Sequence, residues 1–487
     1  MTATPGRVLI LLHEPGYFRL YGSTIVELGR RGWEVLLAFD KPDRRGDAPR
    51  VPAGARDEVR SVGATPAVRE RGAIASLRLA LDYLRYLEPR FSTAGFLRRR
   101  AAQRLPPSLR WLERVRHLPR WCVGAAIRGG RAIEAAVPSD PRMREFVRSL
   151  APDVVFVSPL VTLGPSGGIQ TEAVKAARGL GIPTVVGVAS WDHLTSKGLV
   201  RLVPDAVTVW NEAQRAEAVV LHRIPAARVH LTGAQSLDHW FEPRAAGALD
   251  QFRARLGLEP GRAVILYVGS SKNMAPGDSE PRFVERWVAA LRASAGPAVR
   301  VARVLVRPHP ANLAPWIGTE TLAALERLGV SVWPRSYSGM PLAAEEIDAF
   351  RDSLATCDAV VGINTTAMIE AAIVGRPVLT VHDPAFAHSQ RETLHFAHLT
   401  DGIEGCALVA RTLDEHVAQL ERTLRDPGER RDALTAFVRA FVRPRGLDRP
   451  ATDWVCDVIE QVALRESRAQ TGSGLTETAF ADGRRRR

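Results

Sequence analysis

The sequence is poor in cysteine and has no long apolar run. Its 487 residues include only four scattered cysteines, Cys122, Cys357, Cys406 and Cys456. They show no metal-type pairing, so we expect free thiols in a reducing compartment. No stretch reaches the ~18 apolar residues of a membrane span. The apolar run Val8–Leu12 is also too short for a signal peptide, so we expect a cytoplasmic protein.

Two further signatures are missing. The chain opens with a predicted strand at 7–12, a helix at 21–31 and a second strand at 33–39. This order is typical of a Rossmann-like unit, but the loop lacks GxGxxG, which disfavours a dinucleotide site. No recognised nucleic-acid motif accompanies the net charge of +13, which disfavours nucleic acid as a partner.

The composition is that of a globular protein, with 46% hydrophobic and 24% charged residues. A chain of this length predicts two or three domains. The positive charge is concentrated at 85–131, which contains twelve arginines and only two acidic residues. Aromatic residues and leucines lie among them, a pattern that suits an anionic membrane surface. The alternative is a solvated, arginine-rich helical insertion.

Strands and helices are predicted to alternate in two series. We expect a loop at 41–68, a mostly helical insertion at 70–149 and a connection between domains at 246–260. A last amphipathic helix at 451–464 precedes a polar tail at 467–487 that we expect to be disordered. Beyond the first two, strands are predicted at 152–158, 183–188, 205–210, 228–232, 263–268, 301–306, 330–333, 358–363 and 378–381.

Polar side chains follow several predicted strands of the first series. Open α/β sheets bind ligands beyond the carboxyl ends of their strands. His13 and Glu14 occupy that position after the first strand, and either is a candidate general base. The loop 189–198 contains Asp192, His193 and other polar residues directly after a strand. Such loops often carry function, although each of these residues has an alternative as a plain turn residue.

The second series has two comparable loops. Ser270, Ser271 and Lys272 follow the strand at 263–268. Arg307 and His309 alternate with two prolines that fix the backbone at the end of the next strand. Arginine binds phosphate oxygens in a bidentate manner, and histidine donates hydrogen bonds or acts as an acid. The alternative is a rigid turn with surface charges.

The most informative stretch is 358–381, which predicts a strand, a polar turn, a helix and a second strand. Asn364, Thr365 and Thr366 form the turn. Their N–H and hydroxyl groups at a helix N-terminus predict an anion site. Glu370 is the one charged residue of the helix and lacks the pattern of a capping box. It either accepts hydrogen bonds from a pair of ligand hydroxyls or forms a structural ion pair.

The segments VRPHP at 306–310 and GINTTAMIEAAIVGRPVLTV at 362–381 resemble the C-terminal half of GT-B glycosyltransferase-like proteins. The chain is most similar to sugar transferases of surface-polysaccharide clusters. It is more distantly similar to CDP-glycerol glycerophosphotransferases, capsule transferases and non-hydrolysing UDP-N-acetylglucosamine 2-epimerases. The resemblance implies a GT-B-like α/β fold, with two Rossmann-like domains facing across a cleft. These would be an acceptor domain at 1–245 and a donor domain at 246–440, with a C-terminal helix at 441–466 crossing back to the first.

For function, the resemblance implies a glycosyltransferase that moves a sugar from a nucleotide-diphosphate donor to a cell-envelope glycan or glycolipid. The catalytic base would be His13, Asp192 or His193. No Asp-x-Asp metal signature stands out in a suitable place, so we expect no metal and no cofactor. Cations and the helix dipole would then stabilise the leaving group. The residues that the resemblance assigns to the donor are Ser270, Ser271, Lys272, Arg307, His309, Asn364, Thr365, Thr366 and Glu370.

Three alternatives stay open. A nucleotide-sugar 2-epimerase would invert a sugar without an acceptor. A glycerophosphotransferase-like enzyme would transfer glycerol phosphate, but the Gly-Ile-Asn-Thr-Thr turn at 362–366 departs from the Asp-Tyr-Ser-Ser-type turn of that group. A membrane-docked scaffold that kept the fold would bind vesicles and transfer nothing.

Overall fold

The computed structural model describes residues 6–41, 58–68, 72–159, 167–245, 247–339, 343–400 and 405–465. Contacts divide the chain into two units. The first unit takes the described residues of Met1–Ser92, Arg98–Ser236 and Arg443–Arg487, and the second those of Thr93–Leu97 and Leu237–Val442. The predicted tail at 467–487 lies outside the described residues.

The first unit is built on a seven-stranded parallel sheet in the order β3-β2-β1-β4-β5-β6-β7. Most of its strands are short apolar runs, as expected for a parallel sheet that is covered on both faces. The strands are β1 (Arg7–Leu12), β2 (Glu34–Phe39), β3 (Val59–Ala64), β4 (Val154–Ser158), β5 (Thr184–Gly187), β6 (Ala206–Val209) and β7 (Val229–Leu231).

Helices connect these strands and also form the insertion between β3 and β4. They are α1 (Phe18–Arg30), α2 (Gly72–Leu84), α3 (Gly95–Ala102), α4 (Arg120–Ala136), α5 (Pro141–Leu150), α6 (Gly167–Gly179), α7 (His193–Ser196) and α8 (Glu212–Val220). Helices α2 to α5 confirm the prediction of a mostly helical insertion. A last helix of the first unit spans 451–465.

Alternate residues of β1 enter two different core layers, because successive side chains of a strand point to opposite faces. Leu9 packs in one layer with Met143 of α5. Ile10 packs in the other layer with Ile25 of α1 and Ile459 of the C-terminal helix. The C-terminal helix therefore completes the core of the first sheet.

Polar contacts also hold the C-terminal helix on α1. Arg31 donates to Asp457 at 2.9 Å and to Glu460 at 3.0 Å. The hydroxyl of Thr452 donates to the Ser23 hydroxyl at 2.8 Å. These contacts join residues that are more than 400 positions apart in the sequence, so an early and a late segment of the chain pack together.

The second unit is built on a six-stranded parallel sheet in the order β10-β9-β8-β11-β12-β13. Its core contains the buried aromatic residues Tyr267, Trp287 and Trp316. The strands are β8 (Val264–Val268), β9 (Arg303–Arg307), β10 (Val330–Val332), β11 (Ala359–Gly362), β12 (Val378–Val381) and β13 (Ala407–Ala410). The helices are α9 (Ala248–Arg255), α10 (Ser279–Ala293), α11 (Pro297–Val301), α12 (Thr319–Arg327), α13 (Ala344–Thr356), α14 (Ala367–Ile373), α15 (Ala387–Gln390), α16 (Ala397–Thr400), α17 (Leu413–Arg425) and α18 (Arg431–Phe437).

Two local expectations are corrected. The loop prediction for 41–68 is wrong at Val59–Ala64, which forms β3. This strand lies at the edge of the sheet and most of its residues are at least partly exposed, so it lacks the apolar run that marks the buried strands. The segment 246–260, predicted as a connection, contains α9, whose Phe252 is buried in the second unit.

The four cysteines are free thiols, as predicted. Cys357 and Cys406 are fully buried in the second unit. Burial raises the pKa of each of these two thiols to about 12. Because the thiolate is the reactive form, both are inert core residues.

Candidate functional site

The second sheet has a topological switch point between β8 and β11, where the strand order reverses. Open α/β sheets bind ligands beyond the carboxyl ends of strands at such a point. There β8 leads into Gly269, and the neighbouring strand β9 ends at Arg307. A Cβ added to Gly269 would lie 3.0 Å from the backbone nitrogen of His309. Glycine therefore lets the two loops approach each other closely.

Arg307 is the most unusual residue at this edge of the sheet. Its side chain is almost fully buried, with 6% of the residue exposed. The guanidinium lies 3.7 Å from the ring centre of Phe350 and 5.5 Å from that of Tyr337. Within the described part of the chain, this guanidinium forms no hydrogen bond and no ion pair.

A buried guanidinium without an anion is energetically costly. Burial lowers the pKa of Arg307, whereas the Tyr337, Glu370 and Glu346 side chains act to raise it. Taking a cation out of water costs several kcal/mol unless a paired charge compensates. The cation–π contact with Phe350 offsets only about 2 kcal/mol of this desolvation cost. A bound anion would supply the missing charge.

The turn before α14 lies in the same neighbourhood, because Glu370 on α14 interacts electrostatically with Arg307. Thr365, Thr366 and Glu370 are each partly exposed. The first N–H groups of a helix have no acceptor within the helix. With only seven residues, α14 is about two turns long, so Arg307 supplies most of the positive charge.

Asn364 has a different position from its two neighbours. Its side chain is buried and donates from Nδ2 to the Ser389 carbonyl at 2.6 Å. Ser389 belongs to α15, in the segment that follows β12. The Asn364 amide thus ties the turn after β11 to the next loop and positions Thr365 and Thr366.

The loop after β8 is fixed by a buried carboxylate that the sequence did not reveal. The Ser270 N–H donates to Glu280 Oε1 at 2.9 Å and to Oε2 at 3.0 Å. Asn312 donates to the Ser270 carbonyl at 3.1 Å. Ser270 is fully buried and its N–H is occupied, whereas Ser271 is half-buried and Lys272 is exposed. Of the three predicted residues, Ser271 and Lys272 are therefore the accessible ones.

Glu280 makes the stability of the protein depend on pH. Burial raises the pKa of Glu280 to about 7, although hydrogen bonds from Ser270 and Tyr267 oppose the shift. The folded chain then holds a proton that the unfolded chain releases near pH 4.5. The protonated Glu280 therefore contributes at most about 3 kcal/mol to the free energy of unfolding. This contribution is fully present below the pKa of the unfolded chain and is lost as the pH rises through about 7.

We therefore expect the wild-type chain to lose more stability between pH 5.5 and 8.5 than the Glu280→Gln variant, by about 2 kcal/mol, because part of the full effect falls below pH 5.5. Urea unfolding at several pH values measures this difference. Glu285→Gln, on the same helix, is the control and should follow the wild type. Equal slopes for the wild type and Glu280→Gln would show that the carboxyl group is already ionised at pH 5.5.

His309 is held in one orientation by its own loop. Its Nδ1 accepts a hydrogen bond from the Ala311 N–H at 3.0 Å. In the neutral ring this acceptor carries no proton, so the proton is on Nε2. The ring is half-buried. The Nε2–H is therefore the group with which His309 would donate to an anion, and this role stays a prediction.

In the first unit, His13 follows β1 at the switch point between β1 and β4. Its Nδ1 lies 2.9 Å from Asp40 Oδ2. Gln170 of α6 donates to the same carboxylate oxygen at 2.9 Å. Asp40 and Gln170 are buried, and the His13 ring is partly exposed. Neither partner was predicted from the sequence, although Asp40 follows β2 in the same way that His13 follows β1.

Asp192 lies in the loop after β5 and is already hydrogen-bonded. Its two carboxylate oxygens accept from the hydroxyls of Ser190 at 2.6 Å and Ser196 at 2.8 Å. Burial, followed by the charges of Glu14 and then Asp192, raises the pKa of Tyr17 to about 12. The Tyr17 ring also makes an edge contact with the His13 ring, with centres 5.8 Å apart. Tyr17 thus connects the surroundings of His13 and Asp192.

The other two candidates for a base differ sharply in exposure. His193 is buried, and burial lowers its pKa to about 4, so it is a neutral and weak base near pH 7. Glu14 is exposed to solvent. Of the four candidates, only His13 is a partly exposed imidazole with a buried carboxylate, that of Asp40, beside its Nδ1 atom. Among the residues described, no group of three His, Cys, Asp or Glu side chains is arranged to hold a metal ion.

Comparison with solved structures supports the fold. A glycosyltransferase from Rickettsia africae ESF-5 aligns over 94% of this chain and 98% of its own, with 8% identity and a TM-score of 0.53. HepE of Anabaena, solved with UDP and glucose, aligns over 94% of this chain and 100% of its own, with 11% identity and a TM-score of 0.48. A UDP-GlcNAc 2-epimerase from Neisseria meningitidis, solved with UDP-GlcNAc, aligns over 93% of this chain and 100% of its own, with 12% identity and a TM-score of 0.48.

No protein-family model matches the chain, and no curated protein does. Of the three structures, the first has a TM-score above 0.5 and carries the argument. Together with the two parallel sheets, it confirms the predicted GT-B-like fold with two Rossmann-like units.

Proposed function

We propose that this protein is a glycosyltransferase that moves a sugar from a nucleotide-diphosphate donor to a cell-envelope glycan or glycolipid. The observation that carries the proposal is Arg307. Its guanidinium is buried at the carboxyl end of β9 and lacks an anion in the described part of the chain. A diphosphate is an anion with the geometry to pair with it.

The second unit would hold the donor. Arg307 and the His309 Nε2–H would contact the diphosphate, with Lys272, Thr365 and Thr366 around them. These cations and hydrogen-bond donors would stabilise the charge that develops as the diphosphate leaves, without a metal ion or a cofactor. Glu370 would accept hydrogen bonds from the two ribose hydroxyls.

The first unit would supply the base. The Asp40 carboxylate holds the proton of the imidazole on Nδ1 of His13, which leaves Nε2 free to accept a proton. The acceptor hydroxyl oxygen would form the bond to the anomeric carbon while the bond from that carbon to the diphosphate oxygen breaks. The hydroxyl proton would pass to Nε2, and the diphosphate would leave with the electron pair.

A thermal-shift panel of nucleoside diphosphates and nucleotide sugars, including CDP-glycerol, tests the proposal first, because a ligand of the native state raises its apparent stability. UDP-sugars belong in the panel because HepE was solved with UDP. NMR with the best donor alone then separates two reactions. A 2-epimerase inverts the sugar without an acceptor, and a transferase does not. Stabilisation by CDP-glycerol alone would favour glycerol phosphate transfer instead.

We also propose that the insertion contacts an anionic membrane. Trp111 is 56% exposed and Trp121 is 74% exposed. Four exposed arginines surround them in sequence, and none of their guanidinium groups forms a hydrogen bond or an ion pair with another described residue. We call this set the Trp111–Trp121 surface: Arg110, Trp111, Arg114, Arg116, Arg120 and Trp121. Among the described residues, no helix is long and apolar enough to cross a bilayer, so binding would occur at the interface.

Removing two charges from the Trp111–Trp121 surface should weaken binding to phosphatidylglycerol vesicles. Each arginine near an anionic surface contributes about 1 kcal/mol, so the Arg114→Gln/Arg120→Gln variant should bind about thirtyfold more weakly. Vesicle cosedimentation measures the change. Arg142→Gln, an exposed change on α5, should have an effect below about twofold. Equal binding to phosphatidylcholine vesicles would contradict an electrostatic contact.

A further inference from the structure

Two aromatic rings of the second unit hold the Arg307 guanidinium. Its central carbon lies over the face of the Phe350 ring, 3.7 Å from the ring centre. Phe350 belongs to α13 and is buried. The Tyr337 ring, in the segment after β10, has its centre 5.5 Å from the same carbon. These contacts use the face of the guanidinium and not its N–H groups, which point outward in its plane.

Each of the two rings is itself fixed by a tertiary contact. Trp240 is buried, and its ring meets the Phe350 ring in an edge-to-face arrangement, with centres 5.3 Å apart and planes at 89°. The Tyr337 hydroxyl donates to the Pro308 carbonyl at 2.6 Å, directly after Arg307 in the chain. Neither ring can turn away from the guanidinium without losing a packing contact or a hydrogen bond.

The N–H groups of Arg307 remain available for a ligand. Among the described residues, its nitrogens form no hydrogen bond and no ion pair, and Nε is enclosed. A stacked guanidinium presents its Nη–H groups in its own plane, and this is the geometry in which arginine pairs with two phosphate oxygens. The stack on Phe350 can therefore persist while an anion binds.

Ordering of Arg307 before an anion arrives should improve binding. A free arginine side chain samples many rotamers, and an anion that orders it must overcome the loss of that freedom. The contact with Phe350 already orders Arg307 in the folded chain. The entropy loss thus belongs to folding, and the anion binds to a guanidinium that is already in place. Without the Phe350 ring, the same loss would oppose binding.

We propose that Phe350 is a positioning residue that acts through Arg307, because its ring holds the guanidinium flat with the Nη edge toward the diphosphate. The inference deepens the proposed function and rests on it for the identity of the anion. Phe350 itself would touch no substrate. Such a site favours an anion that offers two oxygens to one guanidinium, as a phosphate group does, over a single-atom anion such as chloride.

A double-mutant cycle tests this role. Calorimetry measures the binding of UDP and of inorganic pyrophosphate to the wild type, Phe350→Leu, Arg307→Met and the double variant. Phe350→Leu should weaken both probes about fivefold in the wild-type background, which corresponds to about 1 kcal/mol and to the ordering of one long side chain. In the Arg307→Met background, the same change should alter the affinity less than twofold, because no guanidinium remains to be held.

Two further variants separate positioning from packing in general. Phe252→Leu removes another buried ring of the second unit, whose centre lies 5.2 Å from the guanidinium carbon of Arg255. It should lower the free energy of unfolding in urea, as Phe350→Leu does, but change the affinity less than twofold. Phe350→Tyr keeps the ring face and should bind both probes within twofold of the wild type. Phe350→Met replaces Phe350→Leu in the cycle if the leucine variant fails to fold.

The outcomes distinguish the inference from the proposed function. The inference is overturned if Phe350→Leu leaves the affinity unchanged, weakens binding equally in both backgrounds, or has the same effect as Phe252→Leu. UDP binding without this coupling would keep the donor site and remove the role of Phe350. If pyrophosphate shows the coupling but no nucleoside diphosphate of the thermal-shift panel binds, the role of Phe350 stands and the nucleotide donor does not. Failure of both probes to bind would reject both.

Discussion

Replacement of Arg307 by methionine should weaken the binding of a nucleoside diphosphate by about 100-fold and leave the stability of the free protein unchanged or higher. The loss corresponds to about 3 kcal/mol of charge-assisted hydrogen bonding. Methionine keeps the apolar stem over Phe350 but removes a buried charge without an anion. Relief of that desolvation cost, several kcal/mol, offsets the lost cation–π contact. Calorimetric titration and urea unfolding measure the two effects.

Arg282→Met is the matched control for this variant. Arg282 lies exposed on α10 and pairs with Asp278 at 2.7 Å, so its replacement should change neither quantity by more than a few tenths of a kcal/mol. The opposite pattern would reject the assignment. If Arg307→Met lost several kcal/mol of stability and kept its affinity, Arg307 would be a structural residue.

Replacement of His13 by alanine should reduce kcat by a factor of about 10²–10⁴, the usual contribution of a general base. Affinity for the donor should not change, because His13 and Arg307 belong to different units. Asp40→Asn should cause a comparable loss, since an amide that donates to Nδ1 would move the imidazole proton to Nε2 and block proton uptake. Steady-state kinetics with an acceptor measures both variants.

Glu14→Gln is the control for the base, and it also tests the alternative candidate. Glu14 is adjacent in sequence and exposed, so its replacement should change kcat less than about twofold if His13 accepts the proton. If Glu14→Gln reduced kcat as much as His13→Ala does, Glu14 would be the general base instead of His13.

The sequence was sufficient to locate the edge of the second sheet at which Arg307 and His309 lie. Apolar runs marked the strands, and two prolines marked the rigid turn. The stacking of Arg307 on Phe350 was not predictable, because Phe350 comes from the middle of α13 and meets Arg307 only through tertiary packing. Glu280 was missed for the same reason, since an acidic residue in an amphipathic helix normally faces water.

His13 was identified, but its partner Asp40 was not. Both residues follow strands, and their pairing depends on β1 and β2 being neighbours in the sheet. The sequence suggests that order for consecutive strands, so strand adjacency was the available signal. Gln170 could not be found in this way, because it lies on α6, far along the chain.

Composition described the insertion only in part. It predicted helices and a basic surface, yet Arg85 is fully buried and donates to backbone carbonyls. Arg78, also buried, forms ion pairs with Glu134 and Glu172 at 2.7 Å. A count of arginines therefore overestimates the charge available to a membrane. The proposed membrane contact therefore rests on the exposed arginines of the Trp111–Trp121 surface.

The most direct measurement is a crystal structure of the protein with the nucleoside diphosphate that stabilises it most in the thermal-shift panel. We predict diphosphate oxygens within hydrogen-bonding distance of the Arg307 guanidinium, with Thr365 and Thr366 beside them. A diphosphate bound elsewhere, with Arg307 still stacked on Phe350 and contacting no anion, would contradict the account.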